Sequence, residues 1–499
     1  MTNNTSERIS LRSFVRGDRN NVLYLRFAIG ISIVGFILFK LMYPYPDFYI
    51  DSYSYLHAAA TNASVNIWPI GYSKFLWAIH QFSHSDTLVV AIQYFLVLAS
   101  QIYFFFSVLY FYRLKKDSRN LLFLFLFLDP LFWFLCNYIG RDGLFLACSL
   151  AWFSQLLWLI HRPNVWGNVF LALFVFLAFT LRYEAIVYPI VSVIVIAWLR
   201  GKFWEKVPGA LAGLVLIGLF AVFTRAQNYK ETGNRVLSVA SGWKMANNVL
   251  FMYPHISVDS ANVPSGCKKL DDSVRYYFRH CKPRLLTVSP VDGWFYIREL
   301  KTPLNDYLAR DLNITKERRP DDTTSALWLF GAVSPVYAEY ARFLMRHYPA
   351  EFSKHYLLPN TWTYLWAPFE KLDVYNMQID TVQSAAQQWF DFKTRKIDHY
   401  SKYFQYVLVS PLPIFFLLIN LGFALGIGWF IYARRKKQVV ADIRLKQGLL
   451  LASVFLLLNA LCCIYSGPLV YEDEVFPTVI CFAYVLVLYD LVERKFKTQ

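Results

Sequence analysis

Charge is scarce in this chain. Only 17% of its 499 residues are Asp, Glu, Lys or Arg, while 56% are hydrophobic and 19% aromatic. Soluble domains carry about 25% charged residues, so this balance excludes an ordinary soluble enzyme as well as a disordered chain. Glycine and proline are sparse at 21 each, which excludes a collagen-like fibre. Seven cysteines are too few for a disulfide scaffold of this length. Cys136, Cys148, Cys462, Cys463 and Cys481 fall in or near apolar runs and read as packing residues. Cys267 and Cys281 lie in a long polar stretch, where a bridge and two free thiols stay equally open. Also missing are a phosphate loop ending in Lys-Ser/Thr, a His-Glu-x-x-His zinc pattern and a Gly-x-Ser-x-Gly elbow. Coupling to ATP therefore has no support.

What the chain does have is long apolar runs, each near the roughly 20 residues that cross a bilayer as helix. They predict an all-α polytopic membrane protein with about ten transmembrane helices, near 22–43, 87–112, 121–139, 143–160, 166–181, 184–199, 207–224, 404–432, 448–466 and 475–491. The net charge of +16 does not indicate a nucleic-acid partner, because most cations outside the long loop cluster beside apolar runs. Placing the N-terminus (Arg8, Arg12, Arg16, Arg19), Arg162 and segments 113–119, 200–206, 434–446 and 494–497 in the cytoplasm puts about 21 Lys and Arg inside against about 3 in the short outer loops. Both termini are then cytoplasmic. The pair 166–181 and 184–199 reads as a hairpin by charge parity, the alternative being one long tilted helix. Three regions result: a seven-span module at 1–224 with a first outer loop at 44–86, an extracytoplasmic loop domain at 225–403, and a three-span module at 404–499.

Ionisable groups at membrane depth or on short outer loops are costly, so they are the first candidates for function. Asp51 follows the first span; its bland reading is a cap on a helix beginning at Ser52. Arg141 and Asp142 share a short outer turn and could simply pair, and Asp129 precedes Pro130 in the run upstream. Arg182 and Glu184 flank the break in the hairpin, where an interhelical ion pair and an anionic ligand compete as explanations. Glu472, Asp473 and Glu474 precede the last span as a solvated turn or as acceptor or cation contacts.

Asp51 in the first outer loop, Trp68-Pro69-Ile70-Gly71-Tyr72 after it, Asp129-Pro130 followed by Arg141-Asp142-Gly143-Leu144-Phe145, and Leu181-Arg182-Tyr183-Glu184 resemble the GT-C superfamily of integral-membrane glycosyltransferases in order and spacing. The likeness covers roughly the first 225 residues; beyond them only the layout agrees. It is nearest to bacterial transferases acting on lipid A or cell-envelope glycans, and more distant from protein O-mannosyltransferases. The resemblance implies a polyprenyl-phosphate-linked sugar donor, a lipid, glycan or protein acceptor, inversion at the anomeric carbon and a site on the non-cytoplasmic face, at the periplasmic side of a bacterial inner membrane. Asp51 would take the acceptor proton, with Asp142 a second acidic candidate. Arg141, Arg182 and Lys244 would hold the donor phosphate, Lys244 on a short interfacial helix after the seventh span. Several relatives have two adjacent acids in the first outer loop, whereas Ser52 follows Asp51 here. That weakens, without closing, a role for Mg²⁺ or Mn²⁺ on Asp51 and Asp142.

Two other readings survive. An O-antigen ligase or polymerase would use a diphosphate-linked glycan and His or Arg of the long loop, where His255, His280, His347, His355 and His399 lie. A transporter or flippase would move the lipid-linked sugar without forming a glycosidic bond.

Overall fold

The computed structural model describes residues 9–199, 203–311, 322–437 and 442–496; Arg8, Arg200, Lys202 and Lys497 of the basic clusters lie outside them. Among the described residues there is no strand, and isolated bridges pair only Asp47 with Tyr138 and Thr381 with Lys396. The helices that matter below are α1 (Arg19–Met42), α2 (Ile50–Ala60), α3 (Gly71–His80), α4 (Asp86–Tyr112), α5 (Lys116–Phe127), α6 (Leu131–Asn137), α7 (Asp142–His161), α8 (Val165–Leu181), α9 (Val187–Trp198) and α10 (Pro208–Thr232). They continue with α11 (Ser241–Leu250), α12 (Lys268–His280), α13 (Asp322–His347), α14 (Leu358–Leu365), α15 (Phe404–Val409), α16 (Leu412–Arg435), α17 (Ile443–Ser466) and α18 (Tyr471–Phe496).

Eight of these helices or end-to-end pairs are long and apolar enough to cross a bilayer: α1, α4, α5 with α6, α7, α10, α15 with α16, α17 and α18. Two more, Val165–Leu181 and Tyr183–Trp198, are apolar but shorter. The chain is an all-α polytopic membrane protein. Its outer helices show this directly: α1 exposes Phe27, Val34, Ile37 and Leu41, and α16 exposes Phe415, Leu418 and Leu425. So much apolar surface would be a liability in water and is the natural contact with lipid. α7 is the opposite case, with 83% of its most apolar stretch buried against 11% for the 404–435 pair.

Proline sets the breaks. Pro130 has no N–H to continue the helix, and Asp129 caps the new start by accepting the Leu131 N–H at 2.9 Å, so the expected 121–139 span is two pieces. Pro411 divides 404–432 in the same way. The 166–199 segment breaks at Arg182, whose backbone is extended at φ −144° and ψ 126°. Its partners fix the directions. The Gln155 amide bonds the Gly167 carbonyl at 3.2 Å, while Arg182 pairs with Asp142, so α8 runs antiparallel to α7. Tyr188 bonds Ser149 and Ser192 accepts from Trp152, so α9 runs parallel to α7 and returns as the hairpin predicts.

The long loop departs from the expected single unit. α10 runs on to Thr232, so the boundary at 224/225 falls inside a helix. Residues from Trp243 to Tyr356 share a core of their own, whereas Ala367, Leu372, Tyr375, Trp389 and Ile397 belong to the core of the helical bundle. The later segment is tied down by Tyr400 N–H to Met42 O at 2.8 Å and Asn376 N–H to Asp47 Oδ1 at 2.8 Å. The open question of a Cys267–Cys281 bridge is answered by α12: the two thiols are free and flank opposite ends of that 13-residue helix. A helix of that length holds its ends about 20 Å apart, far beyond the roughly 7 Å Cα limit of a disulfide.

Candidate functional site

A cavity of about 340 Å³ opens at the end of the bundle where α7 and α18 begin and α8 ends. Asp51, Arg141, Arg182, Glu184, Lys244, Glu472 and Asp473 all line it. Asp142 stands directly behind the lining, 3% exposed, in contact with two of its cations. Glu474 is the exception among the expected residues. It is buried on α18 outside the lining.

The first outer loop delivers Asp51 by a backbone device. Asp47 and Tyr138 form a parallel bridge in which Asp47 N–H bonds Asn137 O and Ile139 N–H bonds Asp47 O, each at 2.9 Å. That bridge sets the start of α2 beside the turn before α7. Asp51 is not the cap: α2 begins at Ile50, and Ser52 Oγ accepts the Tyr49 N–H at 2.9 Å. Its carboxylate instead turns inward, where Tyr138 donates its hydroxyl to Oδ1 and the Lys371 ammonium lies 3.1 Å from Oδ2.

Arg141 and Asp142 do not pair with each other. Asp142 accepts from Arg182 through Oδ1 and from Lys371 at 2.9 Å through Oδ2, and Arg182 reaches Asp473 with its other terminal nitrogen. Four segments remote in sequence thus meet in one alternating chain of charge. Burying these ions without such partners would cost several kcal/mol each. Burial opposes the charged form of Lys371, but Asp142 and Asp51 outweigh it and hold the ammonium above the usual lysine range.

Glu472 lines the cavity and holds the backbone around the lysine. Its Oε1 accepts the backbone N–H groups of Glu370, Lys371 and Leu372 at 3.2, 2.6 and 2.9 Å, which pins the loop after α14 to the start of α18.

On the far wall two cations face Trp68. The Arg141 guanidinium lies 5.5 Å from the Trp68 ring centre and the Lys244 ammonium 6.0 Å, and Lys244 also sits 5.2 Å from Trp294. Such contacts are worth about 0.5–2 kcal/mol. Among the described residues no carboxylate forms an ion pair with Arg141, and Lys244 has only Glu184, at 3.8 Å. Burial pushes Lys244 below the usual lysine range, with Glu184 opposing. Two glycines make the placement possible. A Cβ on Gly71 would stand 2.6 Å from the Thr180 carbonyl, so the glycine of the Trp-Pro-Ile-Gly-Tyr run lets α3 dock at the end of α8. A Cβ on Gly242 would run into the Ser334 carbonyl, so only glycine lets α11 lie against α13 and present Lys244.

Lys371, Tyr138, Trp294 and Arg298, which pairs with Glu370, are site residues that the sequence reading did not single out. The five histidines of the long loop are absent from the lining, and His255 and His355 stack on each other at 3.7 Å instead. A divalent ion shared by Asp51 and Asp142 does not fit this arrangement, because the Lys371 ammonium occupies the gap between them. Nor, among the described residues, do three His, Cys, Asp or Glu side chains converge as a ligand set. Comparison with family models, curated proteins and solved structures finds no match for this chain.

Proposed function

We propose that this protein is a GT-C-type membrane glycosyltransferase that moves a sugar from a polyprenyl-phosphate donor to a lipid, glycan or protein acceptor. The observation that carries the reading is the meeting, in one cavity, of an inward-facing carboxylate at Asp51 and an uncommitted cation at Arg141. In the reaction the acceptor oxygen bonds the anomeric carbon from the face opposite the phosphate, and Asp51 takes its proton. The bond from that carbon to the phosphate oxygen breaks with its electron pair, so the lipid phosphate leaves with one more negative charge, against Arg141 and Lys244. Preorganised cations in a low-dielectric site favour that transition state.

Charge balance selects among donors. The lining holds five cations, Arg141, Arg182, Lys244, Arg298 and Lys371, and five carboxylates, Asp51, Glu184, Glu370, Glu472 and Asp473. Arg182, Arg298 and Lys371 are each closely paired. Arg141 and the loosely held Lys244 suit a phosphodiester of single charge better than a diphosphate, and the missing histidines point the same way. The ligase or polymerase reading is correspondingly weaker. Aromatic walls from Trp68, Phe145, Trp243, Trp294 and Phe330 suit a sugar and an isoprenoid chain. Asn459, Cys463 and Ser466 bring the cavity to α17, a helix with lipid-facing Leu457 and Leu461, which supports entry of the donor tail from the bilayer.

In this reading all ten apolar segments span. The cavity opens to the non-cytoplasmic side, the periplasm of a bacterial inner membrane, and both termini are cytoplasmic. The basic clusters at the opposite end of the bundle support that orientation. The test is Asp51→Asn in the purified full-length protein, supplied with donors that native mass spectrometry finds co-purifying. Turnover should fall by about 10²–10⁴-fold with donor binding retained. Near-normal turnover would remove Asp51 as the base, and donor movement without a new glycosidic bond would favour a flippase.

A further inference from the structure

We infer that Lys371 is the resident cation of the Asp51–Asp142 pair, a positioning residue that does the work a divalent ion would otherwise do between two facing carboxylates. This rests on the reading of Asp51 as the base. The ammonium lies 3.1 Å from Asp51 Oδ2 and 2.9 Å from Asp142 Oδ2, and its side chain is only 9% exposed. Those are hydrogen-bond distances. Mg²⁺ holds oxygens at about 2.0–2.1 Å and Ca²⁺ at about 2.3–2.6 Å, so either ion would require the pair to close in.

The lysine is fixed at both ends. Its backbone is held by the Glu472 carboxylate, at 2.6 Å from the Lys371 N–H, and its ammonium lies 4.9 Å from the ring centre of Tyr138, the residue whose hydroxyl donates to Asp51 Oδ1. Both oxygens of Asp51 are thereby oriented, and each keeps lone-pair capacity for a proton. When the acceptor proton reaches Asp51, the positive charge of Lys371 remains and is still balanced by Asp142. Two of the three ammonium protons serve the carboxylates, so the positioning needs no ion from solution.

The prediction is a transferase indifferent to chelation. In the wild-type protein, turnover should be unchanged by excess EDTA, and added Mn²⁺ should give only the free-ion electron paramagnetic resonance spectrum. Lys371→Ala should lose at least about 100-fold in kcat with donor KM within about threefold, and methylammonium should restore part of the loss. Those magnitudes match the removal of an interaction made in the transition state rather than in donor binding. EDTA-sensitive wild-type turnover, or a bound-Mn²⁺ spectrum that Asp142→Asn abolishes, would overturn the inference. So would near-normal kcat in Lys371→Ala, or failure of methylammonium to rescue a variant whose melting temperature is unchanged. If Lys371→Ala does not fold, the wild-type EDTA and Mn²⁺ measurements decide alone. If no lipid-phosphate sugar is ever transferred, the glycosyltransferase reading fails, while the Mn²⁺ spectrum still reports whether the carboxylate pair holds a metal.

Discussion

The two ends of the helical bundle spend charge differently. At the end away from the cavity, Arg12, Arg16, Arg19, Arg113, Lys116, Arg434 and Arg435 are exposed. At the cavity end, Arg182, Asp142 and Glu472 are buried, and the pairings reach across the chain: Arg182 meets Asp473, 291 residues away, and Lys371 meets Asp142, 229 residues away. Exposed cations need no particular neighbour, because water solvates them and only their sign matters to topology. Buried ions are stable only in one arrangement, so they specify geometry, and geometry is what chemistry needs. In the proposed orientation one end carries the topological signal, and the other builds the candidate site.

The contrast is broken most sharply by deleting one arginine at each end. Arg182→Ala leaves Asp142 and Asp473 without a shared partner and should cost about 3–5 kcal/mol. Arg434→Ala should change stability by less than about 0.5 kcal/mol. Thermal unfolding of both variants by tryptophan fluorescence checks the pair, and equal shifts would mean that the buried chain of ions contributes no more than the solvated cluster.

A finer test compares Lys244 with Arg141 inside the cavity. Burial has moved Lys244 below the usual lysine value of about 10.4, so it should lose its proton at a lower pH than a solvated lysine does. Donor KM should therefore rise, by up to about tenfold, as pH climbs through that lowered value. Lys244→Arg stays charged throughout and should flatten the rise, while Arg141→Lys should not. Steady-state KM measured across alkaline pH in the three proteins gives the answer.

Much of the bundle was readable because hydropathy and charge sign are local properties. The apolar runs, the proline at 130 and the polar break at 182 each announce themselves within a few residues. Asp51, Arg141 and Arg182 were readable for the same reason, as ionisable groups where the membrane makes them costly. Lys371 was not, because in a polar segment that also holds Lys354, Lys393 and Lys396 nothing local marks it. Its mark is the Glu472 carboxylate on three successive N–H groups, a contact that exists only once the chain has folded. The bridge between Cys267 and Cys281 was open to rejection earlier: Leu270, Val274 and Tyr277 recur at helical spacing between the two cysteines and are buried together on α12. The split of the long loop had no such signal, since its aromatic residues serve either core equally well.

The mildest test concerns Asp47, which belongs to the cavity end yet does no chemistry in this scheme. It bridges to Tyr138 and accepts the Asn376 N–H at 2.8 Å, tying the start of α2 to the segment beyond Lys371. Burial raises its pKa to about 7, with the Asn376 hydrogen bond opposing. An acid whose native pKa lies above its unfolded value of about 3.9 binds more protons when folded, so its contribution is full at low pH and is lost as pH rises from about 4 through about 7. The slope cannot exceed about 1.4 kcal/mol per pH unit and should be shallower where water reaches the loop. Asp47→Asn keeps an acceptor for Asn376 and cannot ionise. Its melting temperature should therefore gain on the wild type between pH 5 and pH 8, by a few degrees in all. A gap that stays constant over that range would mean Asp47 is ionised in the folded protein throughout. In that case the bridge, like the network around Lys371, would depend on charge rather than on a neutral hydrogen bond.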